Sequence, residues 1–296
     1  MADVEEERGR LVNIAYRLLG SLVESEDAVQ EAYARWYALP GARRAEIVAP
    51  GAWLTTVTGR ICLDVLGSAR VRRERYVGAW LPEPLPGHGE SCSDVAEQVV
   101  LDESVSMAFL VVLETMTPAE RVAFVLHDVF RYPFAEIAGV LGRTPAACKQ
   151  LASSGRRRVA AARGPETGDA GDAGDAGDRA EAVRRVRTAW EGGDIAGLVA
   201  VLDPSAVMTA DGGGMVGAAL RPIEGGARIA QYMVAIAGMA PGLELVERTV
   251  NGLPGLVALR GGAVVTVAAF EVADGRVRRI WVVRNPEKLG AWVAEG

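Results

Sequence analysis

Apolar residues recur every three or four positions through most of the first 163 residues, the period of helices with one buried face. In LVNIAYRLLG, Leu11, Ile14, Ala15 and Leu18 share a face, and Gly20 predicts the end. SEDAVQEAYARWYAL sets Ala28, Ala32, Trp36 and Leu39 on one side and polar Asp27, Gln30 and Glu31 on another. Pro50 precedes a third amphipathic helix, AWLTTVTGRICLDVLGSARVRRERY, which runs out into Arg70, Arg72, Arg73 and Arg75. LDESVSMAFLVVLETM predicts a helix up to Thr117-Pro118, where a new one opens with proline in its first turn. Beyond residue 179 the pattern changes: one helix over 180–202, then β-branched runs in LVALRGGAVVTVAAFEVADGRVRRIWVVRN, with a hairpin signal at Asp274-Gly275.

Two stretches carry no such period. GDAGDAGDAGD (168–178) has no side chain able to build a core and reads as a tether; PEPLPGHGESCS (82–93) is a softer boundary. They divide the chain into about 1–79, 94–164 and 179–296. At 296 residues two or three domains are expected, and 50% hydrophobic with 24% charged residues excludes a wholly disordered chain. There is no apolar run long enough for a membrane span, and MADVEEERGR, with four acids, is not a secretory signal. Cys62, Cys92 and Cys148 lie far apart with only His88 and His127 beside them, which excludes a disulfide framework and the standard zinc patterns. The chain is therefore expected to be cytoplasmic, with no cofactor and no metal.

Charge becomes informative when divided. Residues 1–164 hold 19 Lys/Arg against 21 Asp/Glu, and the remainder 13 against 17, so neither part is an indiscriminate nucleic-acid binder. Yet four arginines crowd into 70–75, and from Arg143 to Arg163 there are six cations and no acid. Either run alone could be a solvated helix end; together they suggest contact with phosphates.

The second run belongs to TPAERVAFVLHDVFRYPFAEIAGVLGRTPAACKQLASSGRRRVAAA. A short helix through Glu136, Ile137 and Ala138 ends near Gly142; Thr144 caps the next, with Pro145 in its first turn. Packing of Ile137, Val140 and Leu141 on Cys148 and Leu151 would give a helix-turn-helix whose second helix enters the major groove. On it, Thr144, Ala146, Ala147, Lys149, Gln150 and Ser153 are placed for groove contact, and Arg156 and Arg157 for phosphates. A plain helical hairpin is the alternative.

The order of these motifs resembles the extracytoplasmic-function (ECF) sigma factors of bacterial RNA polymerase. RLVNIAYRLLGSLVESEDAVQEAYARWY and PGAWLTTVTGRICLDVLGSARVRRERY are similar to the domain that binds the polymerase clamp and the minus-ten element. TMTPAERVAFVLHDVF and PFAEIAGVLGRTPAACKQ are similar to the minus-35-binding domain. WLPEPL (80–85), DGGG (211–214), ALRPIEG (219–225) and NPEKL (285–289) further resemble members with a fused SnoaL-like domain. The resemblance implies a multidomain chain: two all-α sigma domains, the second a helix-turn-helix, then an α+β NTF2-like cone. Its divisions are 1–79, a linker 80–93, 94–164, a tether 165–178 and 179–296.

The resemblance also assigns roles. Asp27, Gln30 and Glu31 would face the polymerase clamp. Trp53, Thr55, Thr56, Arg60 and Asp64, with Arg70, Arg72, Arg73 and Arg75, would meet the minus-ten strand, whose unstacked bases are captured in pockets. Trp80, Leu81, Pro82, Glu83 and Pro84 would form a regulatory interface with Asp211, Gly212, Gly213, Gly214, Asn285, Pro286 and Lys288. The family's usual lysine after DGGG is Met215 here, which puts in question polar contact between that loop and the linker. Expected partners are core RNA polymerase and promoter DNA, with an unidentified small molecule as candidate ligand of the C-terminal domain, no membrane, and a monomer when free. No His or Cys lies in 179–296, so catalysis there is not expected. The rival readings are a DNA-binding adaptor carrying a ligand-binding or enzymatic cone, and a one-component repressor.

Overall fold

The computed structural model describes residues 4–73, 76–87, 89, 94–163, 176–239 and 241–292. They form two compact units. The first comprises Met1–Arg75, Glu97–Val100 and Phe109–Glu166; the second Tyr76–Ala96, Leu101–Ala108 and Thr167–Gly296. Among the described residues no helix is long and apolar enough to cross a membrane.

The chain begins with α1 (Glu7–Leu19), α2 (Leu22–Ala38), α3 (Gly41–Glu46) and α4 (Pro50–Arg73). Leu11, Ile14 and Leu18 of α1, Ala28, Ala32 and Trp36 of α2, and Leu54 of α4 are buried, so these three helices share a core. Ser21 caps α2 by accepting from the Glu24 amide. Two short helices follow, α5 (Asp94–Glu97) and α6 (Met107–Glu114), the latter starting later than the sequence pattern predicts, after a 3-10 turn at Glu103–Val105. Next come α7 (Pro118–Phe124), a π-turn (Val125–Val129), α8 (Phe134–Leu141) and α9 (Pro145–Arg163). Thr117 and Glu120 close a reciprocal capping box at the start of α7, with Pro118 at its first position.

The second unit continues with α10 (Ala176–Glu191), α11 (Ile195–Val201), β1 (Leu202–Asp211), β2 (Ile223–Glu224), α12 (Gly226–Met239), β3 (Leu243–Val250), β4 (Leu253–Arg260), β5 (Ala263–Ala273) and β6 (Arg276–Val283). The helix predicted over 180–202 is two helices. It opens earlier, inside the last GDA repeat, where Asp178 sits favourably near the N-terminal end of the dipole. It breaks at Gly192-Gly193, and Asp194 caps the next helix through the Gly197 amide at 2.9 Å. The sheet order is β2-β1-β6-β5-β4-β3, antiparallel except for the parallel β1–β6 pair. Asp274 and Gly275, both at positive φ, make the predicted β5–β6 turn.

Both faces of this sheet are buried. Val183, Val186, Leu198, Ile229 and Met233 from α10, α11 and α12 pack on Met208, Leu256, Phe270 and Ile280. The alternate residues Val257, Val267, Ala269, Trp281 and Val283 are buried on the far side. The segment 80–87 belongs with them: Leu81 and Leu85 are 2% and 0% exposed, and Pro86 makes an isolated antiparallel bridge to Val250 at the end of β3.

Candidate functional site

The helix-turn-helix is built locally. Gly142 ends α8 in the left-handed conformation (φ 61°), which only glycine adopts without cost, and the Thr144 hydroxyl accepts the Ala147 amide at 3.2 Å to start α9. Ile137 and Val140 of α8, and Cys148 and Ala152 of α9, are buried; Ala152 takes the deep position that the sequence pattern gives to half-buried Leu151. Thr144, Ala146, Lys149, Gln150, Ser153, Arg156 and Arg157 are exposed, and Ala147 is half-buried. The arginines divide further. Arg156 pairs with Asp128 at 2.8 Å, and Arg158 lies 3.4 Å from Glu120.

Glu120 also accepts from Ser154 (2.6 Å) and from the Thr117 amide and hydroxyl, so one carboxylate ties α9 to the start of α7. Burial pushes its pKa upward, but the hydrogen bonds from Ser154 and Thr117 and the charge of Arg158 prevail and hold it below the ordinary value of 4.5. A folded pKa below the unfolded one adds stability above the unfolded value and loses it as pH falls through the folded value. Glu120→Gln is therefore expected to cost about 1 kcal/mol at neutral pH and to flatten the acid limb. Urea denaturation at a series of pH values checks this; parallel curves for the two proteins would refute it.

Within the first unit the minus-ten candidates meet the helix-turn-helix. Thr55 is buried, accepts from Arg10 at 3.3 Å and shares a 3.0 Å hydrogen bond with the Tyr132 hydroxyl, which itself accepts from Arg10 at 2.6 Å. Arg60 donates to the Gly139 carbonyl of α8 at 2.7 and 3.2 Å. Beside it Gly59 permits close helix contact, since a Cβ there would lie 2.8 Å from Val140 Cγ1. Arg121 of α7 donates to the Leu18 carbonyl (2.9 Å) and to Glu114 (2.6 Å), and its burial lowers the guanidinium to about 9. Trp53 is half-buried against Trp36, Thr56 bonds the Ala52 carbonyl, and Asp64 is exposed. The last turn of α4 carries Arg70, Arg72 and Arg73; Arg75 lies outside the described residues. Asp27, Gln30 and Glu31 are exposed on α2, Glu31 pairing with Arg35.

In the second unit, the residues from the WLPEPL, DGGG and NPEKL stretches come together. The carboxylate of Asp211, a fully buried residue at the end of β1, accepts four hydrogen bonds. Tyr76 Oη (2.6 Å) and the Gly213 amide (3.0 Å) reach Oδ1; the Leu81 amide (2.9 Å) and Lys288 Nζ (2.7 Å) reach Oδ2. Lys288 donates also to the Leu81 carbonyl at 2.5 Å and lies 4.0 Å from the centroid of the Trp80 ring. Asn285 donates to Tyr76 Oη at 2.9 Å and with its oxygen caps the turn Pro286–Lys288. Burial and the Asp211 hydrogen bond push the Tyr76 hydroxyl well above its usual range, so it stays a donor. The glycines are needed for approach: a Cβ on Gly213, at φ 63°, would sit 2.6 Å from Asn285 Nδ2. Met215 is exposed, and the cation paired with Asp211 is Lys288 of the NPEKL stretch.

Further along, the Leu85 amide donates to Asn251 Oδ1 (3.1 Å), the Asn251 amide to the Leu85 carbonyl (2.8 Å), and Trp292 Nε1 to the Pro84 carbonyl (2.9 Å). Pro82, Glu83 and Pro84 are buried. From Leu81 to Pro86 an extended chain covers about 17 Å at ~3.4 Å per residue, against about 19 Å for the four strand spacings from β1 to β3. Residues 80–87 are thus a strap across the sheet. The sequence pattern does not single out Tyr76, Asn251 or Trp292. Asn251-Gly252 is a hairpin dipeptide joining β3 to β4 and is the one available signal; Tyr76 and Trp292 carry none.

Residues 4–75 match the family Sigma-70 region 2, and residues 106–159 match Sigma-70, region 4. The chain is 39% identical over 301 residues to the ECF RNA polymerase sigma factor SigJ of Mycobacterium tuberculosis strain H37Rv, covering 98% of this chain and 93% of that protein. It is 33% identical to the probable ECF RNA polymerase sigma factor SigI of M. tuberculosis strain CDC 1551, with 97% and 94% covered. The crystal structure of M. tuberculosis SigJ superposes with a TM-score of 0.76 at 34% identity, over 98% of both chains.

Proposed function

This chain belongs to the ECF family of RNA polymerase sigma factors, non-enzymatic proteins that direct transcription initiation, and from that premise we propose that its second unit regulates initiation in cis by holding the strap. The observation that carries this reading is the saturated Asp211–Lys288 pair closed on Leu81.

The geometry supplies a reason for regulation. Elements named for positions −10 and −35 lie about 25 base pairs apart, roughly 85 Å at ~3.4 Å per base pair. Gly59 and Val140, one in each promoter-reading region, pack so closely that a Cβ on Gly59 would lie 2.8 Å from Val140 Cγ1. Both regions can occupy their elements only after Arg60 leaves the Gly139 carbonyl and the two separate. The twenty residues 74–93 reach about 66–72 Å when extended, and strapping 80–87 to the sheet removes a good part of that reach. On this reading polymerase or promoter binding competes with the strap.

Asp27, Gln30 and Glu31 then meet the core polymerase; Trp53, Thr55, Thr56, Arg60 and Asp64 meet the minus-ten strand after opening; Lys149, Gln150 and Arg157 meet the minus-35 element. The second unit is read as SnoaL-like, from its mixed six-stranded sheet with three helices on one face. The protein is taken as a cytoplasmic monomer when free.

The test is promoter-directed transcription with purified core polymerase, comparing the intact chain with Asp211→Asn. Specific transcripts from the intact chain, and a changed yield from the strap-releasing variant, are expected. Equal yields with a demonstrably released strap would overturn regulation in cis; absence of core binding would overturn the assigned partners.

A further inference from the structure

Between the inner face of the sheet and α10 and α12 lies a cavity of about 70 Å³. Its walls include Trp190, Tyr232, Leu256, Ala268 and Phe270. Among the described residues no acidic side chain lines it, and the one cationic residue in its lining is Arg284. The Trp190 indole N–H is already spent on the Met233 carbonyl at 2.6 Å, so the ring presents only its apolar surface. Ordered water needs two to four polar partners, which these walls do not offer through most of the space. The occupant that suits them is hydrocarbon. Arg284 uses Nη1 on the Gly217 carbonyl, and a guanidinium carries further donors in a fork shaped for a carboxylate.

We infer that this cavity is a binding site for a small hydrophobic carboxylate, its ring or branched body against Trp190 and Phe270 and its carboxylate on Arg284. The site adjoins the strap through the backbone. β1 lines the cavity with Met208 and Ala210, and its next residue is Asp211. β6 leads through Ile280 and Val282 to Arg284, whose amide donates to the Asp211 carbonyl at 2.7 Å, and then to Asn285. A ligand drawing on the Arg284 side chain therefore acts one residue from the strap's anchor. Binding stands independently of regulation in cis; its effect on the strap rests on that reading.

The experiment uses the full chain and two probes of like shape, 1-naphthoate and the uncharged 1-naphthalenemethanol, followed by tryptophan fluorescence. Naphthoate is expected to bind saturably and about tenfold or more tighter than the alcohol, a difference of about 1.4 kcal/mol. Arg284→Gln is expected to erase that preference while leaving the alcohol's affinity, and Ala268→Phe, which fills the cavity, to abolish both. Should Ala268→Phe fail to fold, Arg284→Gln decides alone. No saturable binding, equal affinities in the unaltered protein, or binding indifferent to Arg284→Gln would overturn the site. Protease cleavage at 76–87 with and without naphthoate then reads the coupling: unchanged cleavage with binding intact removes the link to the strap and leaves the site standing.

Discussion

Asp211→Asn is expected to destabilise the second unit by about 3–5 kcal/mol, the usual cost of removing one partner of a buried ion pair. Both carboxylate oxygens accept from two donors each. An asparagine turns one of those acceptors into an NH₂ group, which must then face either Tyr76 and the Gly213 amide or the Leu81 amide and Lys288. Lys288, 8% exposed, loses its carboxylate partner and is left beside the Leu81 carbonyl and the Trp80 and Tyr76 rings. The strap should loosen with the pair, so protease cleavage within 76–87 should rise before the sheet itself unfolds. Adding Lys288→Met should recover part of the loss, because the double replacement removes both charges of this pair. Guanidinium denaturation combined with limited proteolysis measures both effects. A variant within about 0.5 kcal/mol of the intact chain, the range of an ordinary surface substitution, would mean the pair contributes little and the strap is held by its apolar residues.

The joint replacement Lys149→Ala, Arg157→Ala is expected to weaken promoter binding by about two orders of magnitude, roughly 1.4 kcal/mol for each side chain. The choice follows from what the other cations already do. Arg156 pairs with Asp128 and Arg158 with Glu120, so replacing them would weaken DNA binding and internal support at once. Fluorescence anisotropy of labelled promoter DNA across a salt series separates the roles. A side chain that neutralises one phosphate should, when removed, reduce the slope of log affinity on log salt by about 0.9, whereas removing a base-reading side chain should shift sequence preference and leave the slope alone. Unchanged affinity at physiological salt would remove α9 from the recognition surface.

The parts of this protein that can be read from sequence are those whose determinants sit close together along it. The α8–α9 turn needs Gly142, Thr144 and Pro145, three residues within four positions. The β5–β6 hairpin needs Asp274 and Gly275. The exposed row from Lys149 to Arg157 follows from helical spacing once Cys148 is placed inside. What stays hidden depends on distant pairs: Glu120 with Ser154, Thr55 with Tyr132, Leu85 with Asn251. No periodicity reports such contacts. The linker misleads for the same reason. Its prolines and glycines mark it as irregular, and irregularity suggests a soft boundary, although Leu81 and Leu85 are among the best-buried residues of the second unit. That bears on experiment: cutting the chain after Arg163 would strip those leucines of the sheet they cover, so point variants report on regulation more cleanly than truncation.

The strap also imposes an order in time. Leu81 leaves the ribosome 207 residues ahead of Lys288, the side chain that closes on it. At about 5–20 residues per second the interval is roughly 10–40 s. The second helical region is complete only at Arg163, 125 residues before Lys288, so for roughly 6–25 s of that interval both helical regions exist while the strap has no sheet to lie on. On the proposed reading of regulation in cis, each newly made molecule passes through a brief unrestrained youth in which a nearby polymerase can be engaged without opening anything. On that reading restraint arrives only with the last strand and the turn beyond it, and the share of molecules that escape it depends on how fast translation finishes relative to how soon polymerase is met.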